Sequence, residues 1–172
     1  MNWIELLDEN EKIIQLKHPS NEEVTAALDE QINEIKKSID KEFESIYVLA
    51  KIFANWFWTM KNTSIADKEF SRFGTRVKII SGTLSIEWYE NRIVTDKLTG
   101  KKKIYSDYIK KGAGVDKYSM RCFKTSLDWE KYVIEIVENK YAILRKRARI
   151  LTKIKENLRQ YESLKIDIQP NK

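Results

Sequence analysis

The chain has only one histidine and one cysteine among its 172 residues, and these two shortages exclude several kinds of site. A single cysteine, Cys122, cannot form an intramolecular disulfide framework or a cysteine zinc cluster. One histidine, His18, cannot build a histidine metal site. Proline and glycine are also scarce, at two and five residues, and this favours long helices over a loop-rich fold. We therefore expect neither a metal nor a cofactor.

No apolar run is long enough to cross a bilayer. The most apolar stretch, YVLAKIFANWFW (47–58), is interrupted by Lys51 and Asn55 and falls short of the roughly 20 residues that a membrane helix needs. The first residues, MNWIELLDENEK, turn acidic at once and lack the basic and apolar regions of a signal peptide. The sequence therefore predicts a cytoplasmic protein without membrane contact.

Enzyme motifs are also missing. The chain has no P-loop, no G-x-G-x-x-G and no G-x-S-x-G. The E-x-K spacings at 34–36 and 138–140 resemble those of nucleases, but both lie in helical patterns, where residues two apart point to different faces. The eight tyrosines could include a DNA-nicking nucleophile, yet nothing marks one of them as activated. We therefore expect a protein that is not an enzyme.

Two long apolar stripes are the main structural signal. The first runs over 24–60 in steps of three and four residues, after a capping box at SNEE (20–23). The second runs over 129–161 in similar steps, after a second cap candidate at TSLD (125–128). Two amphipathic helices with matched stripes can bury both by packing against each other in an antiparallel hairpin.

The segment between the stripes has the pattern of β-strands. Leu84, Ile86 and Trp88 alternate with polar residues, and Ser81-Gly82 stands where a tight hairpin turn would fall. This alternation predicts that Trp88 lies in the core, on the face that carries Leu84 and Ile86. A further turn in DKLTGK leads to a third alternating run. The segment 118–125 either adds a strand or re-enters the helix.

Together these patterns predict an α+β fold in a single domain over 1–172. Two long antiparallel helices form a helical hairpin, with a small three-stranded antiparallel β-meander inserted between them. The predicted elements are a short N-terminal helix (2–16), two long helices (21–62 and 126–165), the β-meander (76–110) and a frayed tail (166–172).

The net charge of +6 is unevenly distributed. Residues 1–60 hold 6 Lys/Arg against 12 Asp/Glu, whereas residues 61–125 hold 15 against 7. A basic middle beside an acidic first third suggests a surface for a polyanion. Ordinary solvated charge is the alternative, since lysines also protect sheet edges from aggregation.

Two basic clusters are candidates for phosphate contacts, because each neutralised phosphate adds salt-dependent affinity. One lies in and before the second hairpin, and a two-stranded ribbon of this kind can enter a major groove. The other is the run RKRAR in the last helix. The candidate nucleic-acid-binding residues are Arg72, Arg76, Lys78, Lys101, Lys102, Lys103, Lys110, Lys111, Arg145, Lys146, Arg147 and Arg149.

The order of several segments resembles MobI-type conjugative mobilisation proteins. The segments are NWFWTMKNTSIA, FGTRVKIISGTLSIEWYENR, KIYSDYIKKG, a DWE helix start and YAILRKRARIL, which together span about residues 50–160. The resemblance implies an accessory role at the transfer origin of a mobile genetic element, beside a separate relaxase. It implies no catalytic residues.

Two functions are therefore compatible with the sequence. The preferred one is a non-enzymatic DNA-binding accessory protein. Its partners would be double-stranded DNA of the transfer-origin region and a relaxase or another conjugation protein, and its long helices could also form a homodimer. The alternative is a coiled-coil adaptor or inhibitor without direct contact to nucleic acid, in which the acidic first helix could be the working surface.

Overall fold

The computed structural model describes residues 20–64 and 71–164. In chain order, one long helix is followed by three strands, a short 3-10 turn and a second long helix. The elements are α1 (Asn21–Ser64), β1 (Phe73–Ile80), β2 (Thr83–Thr95), β3 (Lys102–Tyr108), the 3-10 turn (Met120–Phe123) and α2 (Asp128–Ser163).

The two helices begin differently. At α1 the predicted capping box is confirmed: the Ser20 amide donates to the Glu23 carboxylate (2.8 Å), and the Glu23 amide donates to the Ser20 hydroxyl (3.2 Å). At α2 the predicted cap is wrong, because the N-cap residue is Leu127 and no side chain caps the helix. The hydroxyl of Thr125 donates instead to Glu90, on β2.

The helices pack antiparallel along their apolar stripes. Lys36, in the first half of α1, pairs with Glu162, near the end of α2, and Asp40 pairs with Lys155. The buried stripe positions are Ile32, Ile39, Phe43, Ile46, Ala50 and Phe57 in α1, and Val133, Val137, Tyr141, Leu144 and Ala148 in α2.

Burial of the stripes weakens away from the sheet. Val24 and Ile35 of α1 are exposed, as are Ile154 and Tyr161 of α2. The reason is length: the 44 residues of α1 extend about 66 Å at 1.5 Å per residue, whereas an eight-residue strand such as β1 covers about 27 Å. Beyond the sheet each helix has only the other helix to cover it.

The sheet has the order β1-β2-β3, and all its neighbours are antiparallel. The predicted turn at Ser81-Gly82 is confirmed, with φ angles of 48° and 74°. A two-residue hairpin turn with both φ angles positive matches the right-handed twist of the strands that it joins.

The core lies where the sheet meets both helices, and Trp88 is at its centre. The indole is fully buried, which confirms its predicted place in the core. Its ring makes edge-to-face contacts with Phe57 (5.1 Å between centroids) and Phe123 (5.4 Å), and Tyr141 lies at 5.8 Å. One ring therefore joins α1, β2, the 3-10 turn and α2.

The predicted fold class needs correction. The described structure consists of two long helices and a three-stranded antiparallel sheet, and a short N-terminal helix does not belong to it. The helix predicted over 2–16 lies outside the described residues, as does the predicted tail over 166–172, so a single domain over 1–172 stays a prediction. The sheet begins at residue 73 rather than 76, and 118–125 contains the 3-10 turn Met120–Phe123 rather than a strand or a helix start.

We predict that Trp88→Ala lowers the free energy of unfolding by about 3–5 kcal/mol, because a buried aromatic ring is removed and a cavity remains. Urea denaturation followed by circular dichroism measures this loss. Tyr132→Ala is the control, since that ring is 67% exposed and its removal should cost no more than about 0.5 kcal/mol. A Trp88→Ala protein as stable as the parent would place Trp88 outside the core.

Candidate nucleic-acid interface

A two-stranded β-ribbon extends beyond the body of the sheet. β1 pairs with β2 only as far as Glu90, whereas β2 and β3 remain paired from Tyr89–Tyr108 out to Thr95–Lys102. We call residues 91–106 the β-ribbon. Its five β2 residues extend about 17 Å at 3.4 Å per residue. Every residue of β3 is exposed, so the ribbon presents both faces to solvent.

The β-ribbon carries cations on both faces. Cross-strand partners share a face and neighbours alternate, so Lys102, opposite Thr95, and Lys103, opposite Val94, project to opposite sides. Lys101 lies beside the turn that joins the strands, and all three lysines are exposed. The ribbon can therefore contact phosphates from either side.

The charge of Arg92 is already partnered within the sheet. Its guanidinium pairs with the Asp107 carboxylate, which is its diagonal neighbour across the ladder. The hydrogen bond from Arg92 holds the pKa of Asp107 below its usual value. The lysines at the end of the β-ribbon are therefore its main uncompensated charges.

Arg72 lies beside the root of the β-ribbon, and Arg76 and Lys78 follow along β1, progressively further from that root. Arg76 stacks on the ring of Tyr89 (4.9 Å to the centroid), and Lys78 pairs with Glu87 at 3.0 Å. Burial opposes the ionisation of Glu87, but the hydrogen bond from Ser85 and the charge of Lys78 outweigh it and hold its pKa below the usual value. Arg72 is exposed, and its carbonyl accepts from the Asn91 amide.

Gly74 is needed for the stacking of Arg76. The ring of Tyr89 lies directly over Gly74, and a Cβ there would come within 2.4 Å of that ring. Glycine therefore lets the tyrosine lie flat on β1, where Arg76 covers it. This packing fixes the outer face of the sheet at the root of the β-ribbon.

A mixed-charge groove of about 650 Å³ lies between the unpaired edge of β2 and α2. Lys111 and Arg149 line it together with Asp116, whose carboxylate accepts from Arg149 at 2.7 Å. That hydrogen bond holds the pKa of Asp116 below its usual value. Burial, and then the charge of Arg145, lowers the pKa of Lys111. Cations and anions alternate here, so the groove is a weak candidate for phosphate binding.

Arg145 is a predicted phosphate contact that the structure places in the core. Its side chain is 8% exposed and lies against Glu138, which is fully buried. Two parallel bonds join the pair, from Nη1 to Oε1 (2.8 Å) and from Nη2 to Oε2 (3.1 Å). Arg145 is therefore unavailable to DNA in this arrangement.

The remaining polar atoms of this pair are also satisfied. Glu138 accepts from the Trp88 indole N–H and the Tyr118 amide, both at 2.7 Å. Arg145 donates to the carbonyls of Ile86 (3.1 Å) and Asp116 (2.8 Å). The network thus joins α2 to β2 and to the loop that follows β3.

The rest of the 145–149 run points in several directions. Lys146 is exposed, Arg147 lies 3.9 Å from Glu42 of α1, and Arg149 faces the groove. Lys110 is exposed in the loop after β3. The basic residues of the RKRAR run diverge because consecutive residues of an α-helix are turned by about 100° around its axis.

The structure brings the two predicted basic clusters together only in part: Lys111 and Arg149 line the same groove, whereas the lysines at the end of the β-ribbon lie far from the RKRAR run. Arg145 contacts Ile86, and Thr95 is nine residues further along β2, which is about 30 Å. Going back along β2 from Trp88 through Ile86 to Thr83, each residue lies beside a position further along α2. The β-ribbon projects in the opposite direction, so its lysines and the RKRAR run are separate candidate contacts.

A second buried charge, Glu130, holds the chain where it enters β1, and the sequence patterns did not predict it. Its Oε1 accepts from the Ser71 hydroxyl (2.5 Å) and the Phe73 amide (3.0 Å). Lys61 donates to the carbonyls of the same two residues and lies over the ring of Trp58. Burial lowers the pKa of Lys61, and the charge of Glu130 opposes that shift.

The Glu138–Arg145 network was not predicted either, although a signal existed. Residues seven apart lie on one face of a helix, and these two adjoin the buried positions Val137 and Leu144. A charged pair of opposite sign beside an apolar stripe indicates a buried ion pair. Rejecting 138–140 as a nuclease motif agrees with the structure, in which Glu138 is buried and Lys140 is exposed.

The tyrosines near the sheet differ in burial. Tyr105 and Tyr108 are exposed on β3. Burial raises the pKa values of Tyr118 and Tyr141 above the ordinary tyrosine value, and the hydrogen bond with Tyr108 adds to the shift of Tyr118. Within 20–64 and 71–164, no three His, Cys, Asp or Glu side chains are grouped as a metal site would need.

The chain belongs to the MobI family, whose model, described as "MobI protein", matches residues 46–159. The match includes the β-ribbon, the sheet, the buried network and most of α2. Membership of this family connects the chain with conjugative mobilisation. No curated protein matches the chain, and neither does any solved structure. Neither α1 nor α2 has a segment long and apolar enough to span a membrane, considering the residues that the structure describes.

We predict opposite outcomes for two arginines of the RKRAR run. Arg145→Ala should lower the free energy of unfolding by about 3–5 kcal/mol, because it leaves the Glu138 carboxylate buried without its partner. Arg149→Ala, whose side chain is 62% exposed, should cost no more than about 1 kcal/mol. Urea denaturation of both variants and the parent measures the difference. Equal stability of the two variants would contradict the assignment of Arg145 to the core.

Proposed function

We propose that this protein is a non-enzymatic DNA-binding accessory factor that acts with a relaxase at the transfer origin during conjugative mobilisation. The observation that carries the proposal is the β-ribbon, which leaves the body of the sheet, exposes both faces and is strongly basic. The family supplies the context of mobilisation, and the ribbon supplies the contact with DNA.

The charges of the β-ribbon favour a polyanionic partner. Residues 91–106 hold five Lys/Arg and a single acidic residue, Asp96. The Asp96 carboxylate accepts hydrogen bonds from amides of its own turn, so its negative charge is partly compensated there. Lysines on an exposed two-stranded ribbon neutralise phosphates without reading the sequence. The lysines would therefore set affinity and position on the duplex.

The basic half of α2 is a weaker candidate because α1 neutralises it. Residues 145–163 hold seven Lys/Arg and two Asp/Glu, whereas residues 21–44 hold three Lys/Arg and eight Asp/Glu. These segments lie against each other through the pairs Lys36–Glu162 and Lys155–Asp40. The positive potential of α2 is therefore compensated locally, which leaves the β-ribbon as the main unbalanced cationic element.

The proposal includes a protein partner as well as DNA. α2 exposes apolar side chains on the face away from the sheet, among them Tyr132 (67%), Ile143 (55%) and Ile150 (48%). A contiguous apolar patch marks an interaction surface, and we propose that a relaxase or a second copy of the chain binds along this face. The same observation favours the alternative function, an adaptor that never contacts DNA.

We predict that replacing Lys101, Lys102 and Lys103 with alanine weakens duplex binding about equally on all sequences. The slope of log affinity against log salt should fall by up to about 0.9 for each phosphate that the variant no longer neutralises. Fluorescence anisotropy with labelled random and transfer-origin duplexes at several salt concentrations measures both quantities.

A triple replacement of Lys37, Lys41 and Lys51 is the matched control. These lysines are exposed on α1, and their removal changes the net charge by the same amount. If the two triple variants bind with the same affinity and slope, the β-ribbon does not make the phosphate contacts. If the parent binds no duplex at all, the proposed function fails and the adaptor function is favoured.

We also predict that Tyr105→Phe and Tyr108→Phe leave DNA binding almost unchanged and that neither the parent nor the variants cleave DNA. Supercoiled plasmid carrying a transfer origin, incubated with Mg²⁺ and analysed on an agarose gel, provides the test. Nicked product that disappears in either variant would show a catalytic tyrosine and overturn the non-enzymatic assignment.

A further inference from the structure

The turn at the end of the β-ribbon presents one apolar side chain to solvent. Leu98 is 97% exposed, more than any other large apolar residue in the described part of the chain. It lies at the far end of the ribbon, where neither helix can cover it. Such a side chain contributes nothing to the core. Single exposed apolar residues are common on protein surfaces, so it is the basic ribbon around Leu98 that points to a partner.

The turn holds Leu98 in a defined position. The Asp96 carboxylate accepts from the amides of Thr99 (3.0 Å) and Leu98 (2.9 Å), and these bonds hold the pKa of Asp96 below its usual value. The Asp96 amide donates to the Lys101 carbonyl, and the Gly100 amide donates back to Asp96, both at 2.9 Å. Gly100 adopts a φ of 65°, which glycine does without strain.

The surroundings of Leu98 favour nucleic acid over an apolar protein surface. Lys97 precedes it, and Lys101, Lys102 and Lys103 follow within five residues. An apolar protein pocket would have to desolvate these ammonium groups, whereas a duplex meets them with phosphates on both sides of a groove. A single apolar tip between cations matches a groove floor flanked by two phosphate backbones.

We propose that Leu98 is an apolar wedge that enters the minor groove of DNA and kinks the duplex. This inference rests on the proposed function, because the lysines must first bring the β-ribbon to the phosphates. Leucine side chains inserted between base steps from the minor groove partly unstack the bases and bend the duplex by about 20–90°. The protein would then be an architectural factor that shapes the DNA as well as a factor that binds it.

The test compares the parent with Leu98→Ala on a short duplex with fluorescent dyes at its two ends, in low salt. Energy transfer between the dyes reports the bend. A second measurement compares affinity for the perfect duplex with affinity for the same duplex carrying one central mismatch. A mismatch lowers the cost of unstacking, so a wedge should prefer the mismatched duplex.

We expect the parent to bend the duplex by at least about 20° and to prefer the mismatched duplex by about tenfold, which corresponds to about 1.4 kcal/mol. Leu98→Ala should still bind with the salt slope of the parent but leave the duplex straight and lose the preference. Leu98→Phe keeps a wedge and should keep both effects. Ile104→Ala, which removes a 64% exposed side chain from the same ribbon away from its tip, should behave as the parent does.

Three results overturn the wedge in distinguishable ways. If the parent binds but leaves the duplex straight, the proposed function stands and the wedge is wrong. If Leu98→Ala bends the duplex as the parent does, the bend has another source. If the parent binds neither duplex, both the proposed function and the wedge fail. Thermal melting of each variant confirms that it is folded, which we expect because Leu98 makes no core contact.

Discussion

The buried ion pair of Glu138 and Arg145 is the interaction on which the arrangement of sheet, helix and loop depends. Removing two charges from water is costly, and the cost is offset only if their geometry is good and all their polar atoms are satisfied. Here two parallel bonds join the pair, and Trp88, Tyr118 and two main-chain carbonyls complete it. Displacing any of these partners leaves a buried charge unsatisfied, so the network fixes α2, β2 and the loop after β3 relative to one another.

This network gives the β-ribbon a fixed root. The first half of β2 lies between β1 and the network, and Arg145 and the Ile109 amide satisfy the Ile86 and Trp88 carbonyls on its other edge. The second half of β2 has only β3 beside it and extends into solvent. A strand clamped along one half and exposed along the other can hold lysines and Leu98 away from the acidic α1.

Several properties follow from local patterns in the sequence. The two long helices follow from apolar periodicity, the capping box at Ser20 and Glu23 from its spacing, and the turn at Ser81-Gly82 from residue type. The core position of Trp88 follows from alternation along β2. Each of these depends on residues close in sequence, whose geometry the backbone period fixes. The helix predicted over 2–16 rests on the same kind of pattern and lies outside the described residues.

What only the tertiary structure decided is which charges face solvent. The sequence by itself determined that residues 145–149 are basic and helical, but not that Arg145 meets Glu138 in the core, Arg147 lies near Glu42 and Arg149 faces a groove. It determined a lysine-rich hairpin, but not that the pairing of β1 with β2 ends at Glu90 and leaves the ribbon exposed on both faces. The physical reason is that charge and periodicity are local, whereas burial depends on which distant element covers a residue. A partner such as Ile86, 59 residues from Arg145, appears only when the chain is folded.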